Sequence, residues 1–320
     1  MVNGVCAVRV AERELLASAG ADRMVRIWDP ATGVPVHTLE GHTKWVEEVC
    51  AVRVERGELL ASAGADRVVR IWDPATGAPE RTVEGHTGWV NGVCAVQVAG
   101  HELLASVGTD ATVRIWDPTT GALERTLEGH TGRVYGVCAV HVAGHEVLAS
   151  AGTDEIRIWD PATGAPERTL EGHTGWIRGV CAVRGDGSEL LASAGDDATV
   201  RIWDPATGAL ERTLEAHTGR INAVCAVRSH GRELLASAGT DGTVLIWDPA
   251  TGALERTLEG HTGWVNGVCA VHVDGRGLLA SAGDDATVRI SDPATGVLER
   301  TLEEPTDGLH RRAYGAGREL

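Results

Sequence analysis

The sequence predicts an all-β chain, a seven-bladed β-propeller with four antiparallel strands per blade. Three observations point there. Seven cysteines, Cys6, Cys50, Cys94, Cys138, Cys181, Cys225 and Cys269, recur in a "VCAV" context at spacings of 44, 44, 44, 43, 44 and 44 across 320 residues. Each unit divides into four short β-type segments separated by turn signals. Units of this length cannot bury an apolar face alone, so they must stack on one another, and four-stranded units of this period point to a propeller.

The elements follow in order from one unit, residues 172–215. "GWIRGVCAVR" carries apolar residues on both alternating faces, as a strand buried on both sides does. "GDGS" is a turn, and "ELLASA" is a second buried strand. "GDDA" is the next turn. "TVRIWD", rich in β-branched residues and Trp, is the third strand. In "DPATG", Asp bonds its own backbone, Pro presets φ and Gly accepts positive φ, which makes a turn. "ALERTLE" alternates apolar and charged residues, as a half-exposed edge strand does. Its Glu and Arg form a solvated rim of pairs that contribute little individually. The units run 1–40, 41–84, 85–128, 129–171, 172–215, 216–259 and 260–303, followed by a degenerate tail, 304–320.

"GHTGW", "LLASAG" and "D-x-T-V-R-I-W-D" at this spacing resemble WD-repeat propellers over residues 1 to 303, nearly the whole chain. The third strand ends at Trp28, Trp72, Trp116, Trp159, Trp203 and Trp247, whereas the seventh unit reads "RISD", with Ser291 at that position. The resemblance implies a ring of seven blades. It also implies a buried hydrogen-bond chain from Trp to Ser to His to Asp in each of five units. These sets are His42/Ser62/Asp66/Trp72, His86/Ser106/Asp110/Trp116, His130/Ser150/Asp154/Trp159, His173/Ser193/Asp197/Trp203 and His217/Ser237/Asp241/Trp247.

A Ser-His-Asp set also invites a hydrolase reading. Five like copies favour a structural role. An indole N–H only donates, a Ser oxygen accepts it, and an imidazole links that Ser to a carboxylate, so each buried polar atom finds a partner. A nucleophilic Ser must instead be exposed beside an oxyanion hole. No catalytic residue is assigned. Unit seven keeps His261, Ser281 and Asp285 without the Trp. Unit one has Ser18, Asp22 and Trp28 without the His. Unit four is one residue short, so Asp154 is expected to reach its His differently.

In propellers of the resembled family, the loop entering the first strand and the turn before the third face one side of the ring, a common partner-binding surface. The resemblance places Trp45, Trp89, Arg133, Trp176, Arg220 and Trp264 there, with Asp196 and Asp284 before the turn Asp of their units. Trp and Arg are enriched in binding hot spots and stack on each other. The alternative is that the indoles pack between blades. Exchange of Trp for Arg at two of six positions favours exposure, because a core slot for indole seldom takes a guanidinium.

A net charge of −16 without a basic run excludes the electrostatic footprint of nonspecific nucleic-acid binding. No apolar stretch approaches the ~20 residues of a membrane span, and the apolar start matches interior repeats, so it reads as a strand. The expected location is the cytoplasm. No Phe, one Lys and 41 Gly suggest GC-rich coding and a bacterial source. One Cys per repeat is neither a disulfide framework nor a zinc set, but a small buried hydrophobe. No metal or other cofactor is implied.

The expected function is a non-catalytic scaffold for a protein or peptide. The alternative is a sensor or regulatory module cut from a larger bacterial signalling protein, since arrays of the resembled family lie beside kinase or nucleotide-triphosphatase domains. Neither "GxxxxGK[ST]" nor "HRD" occurs in this chain. A monomer is expected, with blade-swapped oligomers as the competitor.

Rings of the resembled family usually close with a strand exchanged between the first and last blades. Here "VNGVCAVRV" opens the chain and "VLERTLE" ends the last unit, so each blade is expected to come from one contiguous segment. Closure then rests on face-to-face packing, and the joint between first and last blades is expected to be the weakest. The tail 304–320 reads as the eroded start of an eighth unit.

Overall fold

The computed structural model describes residues 1–153, 155–185 and 187–303, so Asp154 and the tail 304–320 lie outside the described residues. Its 28 described strands form seven four-stranded antiparallel sheets, each drawn from one contiguous stretch. Blade 1 runs from the inner strand Val2–Val10 through Arg13–Gly20 and Val25–Trp28 to the outer strand Pro35–Leu39. Blade 7 repeats the plan with Val265–Val273, Arg276–Gly283, Thr287–Ser291 and Leu298–Glu303.

Local chemistry sets each element. The second strand is dry on both faces, with Leu16, Ala17 and Ala19 fully buried, and its alanines let neighbouring blades converge. Only Leu39 of the first outer strand is buried, which produces the alternation of an edge. The "DPATG" turn closes as read from sequence. Asp29 Oδ1 accepts from Ala31 N at 2.9 Å, and Gly33 N donates to Asp29 O at 2.7 Å. Gly33 takes φ 78°, which a Cβ would resist.

The apolar cores lie between blades. One joins Ala17, Ile27 and Leu39 of blade 1 to Val46, Leu60 and Trp72 of blade 2. The third-strand Trp thus points back into the joint with the preceding blade. Side chains also cap the channel-side edges of the inner strands, which have no strand partner there. Asn3 Nδ2 donates to Val46 O at 2.8 Å, and Arg9 N donates to Glu58 Oε2 at 2.6 Å.

The closing joint between blades 7 and 1 carries this same set. Trp28 packs with Val271, Leu278 and Ile290. Asn266 Nδ2 donates to Val2 O at 3.0 Å, His272 N to Glu14 Oε1 at 2.6 Å, and the Arg300 guanidinium to Thr32 O at 3.0 Å. The tryptophan position of unit seven does not fall at this seam. Because the Trp points backward, Ser291 falls in the joint between blades 6 and 7. The core there is the one without an indole. Gly277 stands in the same joint where blades 1 and 2 carry Glu14 and Glu58.

Candidate functional site

The polar sets occupy the interior of each blade. In blade 2, Trp72 Nε1 donates to Ser62 Oγ at 2.9 Å, His42 Nε2 lies 2.7 Å from that oxygen, and His42 Nδ1 lies 3.0 Å from Asp66 Oδ1. An ionised Asp accepts only, so Nδ1 carries the proton and Nε2 accepts from the Ser hydroxyl. Asp66 Oδ2 also accepts from Thr43 N at 2.8 Å, tying the entry loop to the turn.

The other copies repeat this geometry. Ser106 lies 2.8 Å from both Trp116 Nε1 and His86 Nε2, with Asp110 2.9 Å from His86 Nδ1. Ser193 does the same with Trp203 and His173, each at 2.8 Å, and Asp197 lies 2.9 Å from His173. In blade 6, Ser237 meets Trp247 and His217 at 2.8 Å, and Asp241 lies 2.8 Å from His217.

Burial pushes the carboxyls of Asp66, Asp110, Asp197 and Asp241 up. Hydrogen bonds from His and Thr and the coulombic pull of the His ring outweigh it and hold all four below the usual range. His173 is held down by burial despite the attraction of Asp197. Ser62, Ser106, Ser150, Ser193 and Ser237 are fully buried, so no substrate carbonyl can approach their hydroxyls.

In blade 4 the contacts of Trp and His to Ser recur. Trp159 and His130 both reach Ser150, at 2.8 and 2.7 Å. The residue expected to complete the set, Asp154, lies outside the described residues. Glu155, at the position that Thr112 holds in blade 3, accepts from Arg157 Nε at 2.6 Å. The matching nitrogens of Arg70, Arg114 and Arg201 are buried without a hydrogen-bond partner among the described residues. In blade 7, His261 still bridges Ser281 at 2.9 Å and Asp285 at 3.0 Å, with no indole above Ser281.

The second group lies at one end of the ring. Backbone bonds from Ala65 N to Trp45 O, Asp196 N to Trp176 O and Asp284 N to Trp264 O, at 2.8 to 2.9 Å, join the entry loops to the turns on that face. Trp89 and Trp176 are 45% and 43% exposed, and Arg133 is exposed, while Trp45, Arg220 and Trp264 are half-buried. Arg220 stacks over Trp264 at 5.3 Å.

Trp176 stacks on Tyr135 with centroids 5.6 Å apart, and the Arg178 guanidinium lies 5.5 and 5.4 Å from the two rings. Asp196 holds Arg178 through both guanidinium contacts, one of them at 3.1 Å. Asp284 accepts from Asn266 Nδ2 at 2.6 Å. Tyr135 and Arg178 were not singled out from sequence. The available signal was their position, one residue into the inner strand, which otherwise holds Asn3, Glu47, Asn91, Asn222 and Asn266.

The inner strands frame an axial cavity of about 100 Å³, lined from all seven blades and reached by Tyr135, Arg178 and Glu48. The seven thiols are free, and burial pushes them up, away from thiolate chemistry. Among the described residues no His, Cys, Asp and Glu grouping could hold a metal, and no helix is long and apolar enough to cross a membrane.

Comparison with known proteins gives the same repeat. The family model described as "WD domain, G-beta repeat" matches residues 3–29, 33–73, 77–117, 121–160, 164–204, 208–248 and 252–292. A curated relative, the probable serine/threonine-protein kinase PkwA of Thermomonospora curvata, is 53% identical over 32 residues, which is 10% of this chain and 4% of that protein. Seven matched repeats, coinciding with a ring of seven four-stranded blades, show that the chain belongs to the WD-repeat family of β-propellers.

Proposed function

We propose that this propeller is a non-catalytic scaffold that binds a protein or peptide on the face bearing Trp89, Arg133, Tyr135, Trp176 and Arg178. Propellers of this family generally serve as interaction scaffolds. One observation carries the choice of face. A near-uniform repeat departs from itself at Tyr135 and Arg178, and there an exposed Trp176 is braced by an aromatic ring and a salt-bridged guanidinium. A braced aromatic loses little conformational freedom on binding and offers a wide apolar area, the properties of a hot spot. The full burial of the Ser hydroxyls favours structural roles for the Ser-His-Asp sets.

The test is capture of partners from an extract by the intact propeller and by Trp176→Ala and Arg133→Ala variants, with thermal melting alongside. The reading requires a partner retained by the parent and lost from both variants at unchanged melting temperature. Equal capture by all three removes it.

A second reading is a regulatory module of a larger signalling protein, favoured by the 32-residue match to a probable kinase. It is tested by the coding sequence around this one, where a kinase or nucleotide-triphosphatase domain is expected in the same or the adjacent reading frame. We place either form in the cytoplasm, a setting suited to seven unpaired thiols.

A further inference from the structure

Ser291 occupies the place that an indole fills in every other blade. Its register partner is Leu279, as Leu16 is for Trp28 and Leu60 is for Trp72. Ser291 is 9% exposed, and several side chains around it are less buried than their counterparts in other blades. Leu258, the outer-strand residue that faces it from blade 6, is half-buried, whereas its counterparts Leu39, Leu127 and Leu214 are 2 to 4% exposed. Ser281 is 6% exposed against 0% for Ser62 and Ser193, and His261 is half-buried where His42 and His173 are buried. The Arg289 guanidinium lies over Gly260, and its Nε is buried without a hydrogen-bond partner among the described residues.

We propose that the joint between blades 6 and 7 binds an indole ring supplied from outside the chain. The choice of ligand rests on the molecule's own six occupied copies of the site. In each, an indole N–H reaches a buried Ser Oγ at 2.8 to 3.0 Å while the ring fills the joint. Ser281 presents the same acceptor, fixed on its other side by His261 at 2.9 Å. In blades 2 to 5 the far edge of the indole touches a Gly before the His, at Gly41, Gly85, Gly129 and Gly172. Gly260 keeps that position free of a side chain. Arg289, whose guanidinium lies over Gly260, must swing aside, and Arg157, 5.9 Å from the Trp159 ring, shows where a guanidinium rests once an indole is in place. An apolar joint with one oriented polar atom can take such a ring once the guanidinium has moved, with the strands left in place. This inference is independent of the partner face at the channel mouth.

The test is a ¹⁹F NMR titration of 5-fluoroindole into the full chain, with 1-methylindole and N-acetyltryptophanamide as competitors. Saturable one-to-one binding is expected, with 1-methylindole, which has no N–H, competing at least 10-fold more weakly. Competition by N-acetyltryptophanamide identifies a Trp side chain as the occupant, and its exclusion identifies free indole. Ser291→Trp should abolish binding by filling the slot, and Ser281→Ala should weaken it and erase the preference over 1-methylindole. A readout that needs no variant is hydrogen exchange with and without indole, where protection should be confined to residues 254–262 and 276–292. No saturable binding, binding undiminished in a folded Ser291→Trp protein, or protection elsewhere overturns the proposal.

Discussion

Ser193, fully buried, accepts from the Trp203 indole N–H and donates to His173 Nε2, so its removal strands both a donor and an acceptor. Each unsatisfied buried group costs about 1–3 kcal/mol. Ser193→Ala is therefore expected to lower stability in urea by about 2 kcal/mol, while the conservative Ser193→Thr, which keeps the hydroxyl, loses less. Glu48 makes the opposite case. Unit two places this carboxyl where its neighbours have Gly4 and Gly92, and among the described residues its one side-chain hydrogen bond is from Val49 N at 3.1 Å. Burial, aided by Glu47 and opposed by that bond, pushes its pKa up from 4.5 to about 8. The folded state then binds the proton more tightly than the unfolded chain, so its contribution to stability is fully present below about pH 4.5 and is lost as pH rises to about 8. The loss is on the order of 2 kcal/mol, less than the full shift converts to, because the side chain is only half-buried and solvent screens its charge. Urea unfolding at pH 5 and pH 9 checks this. The parent should lose stability between the two, and Glu48→Gln should lose less by about that amount. An equal pH dependence in both proteins counts against it.

The strands, their order and their turns were legible because period, β-branching and the Asp-Pro-Gly chemistry agree within every unit. The direction in which a third-strand Trp points was not. Residues of one strand face both neighbouring blades in alternation, and the sequence does not say which neighbour Trp28 or Ser291 meets. That choice depends on how blades lean around the axis, and it puts the indole-free joint between blades 6 and 7, not at the seam. The partner face was half legible for a similar reason. Trp89 and Trp176 stand out by residue type, whereas Tyr135 and Arg178 gain meaning from stacking against a neighbouring blade. With Ser291 for Trp and Gly277 for Glu, joint 6–7 lacks both an indole and a carboxylate cap. Hydrogen exchange should accordingly be fastest in 244–258 and 276–291, and slower in 1–30. Faster exchange in 1–30 would restore the seam as the weak point. Ser291→Trp should fill the joint and raise stability by about 2–3 kcal/mol, in proportion to the apolar area it buries.

A closed ring of seven blades has seven joints, and the peptide chain crosses six of them. The uncrossed joint has only its contacts, and at 7–1 those include Trp28, Asn266 to Val2, Glu14 to His272 and Arg300 to Thr32. They match the contacts at a crossed joint such as 1–2, so covalent linkage adds little to geometry and mainly reduces the entropy of bringing blades together. The ring should then tolerate relocation of its chain break wherever a joint is equally well filled. A circular permutant with residues 303 and 1 linked and new termini between blades 3 and 4, where Trp159 fills the joint and Asn91 Nδ2 caps Val134 O at 2.7 Å, is expected to unfold within about 1 kcal/mol of the parent. A permutant opened between blades 6 and 7 leaves the poorest joint to hold by contact alone. It lacks an aromatic whose deletion from a core costs about 3–5 kcal/mol, so it should be the less stable of the two by a large part of that amount. Adding Ser291→Trp should bring it back toward the 3–4 permutant. Equal stability of the two permutants without that substitution would mean that the joints are energetically alike, and that the indole at each of them serves the blade's internal network more than the packing between blades.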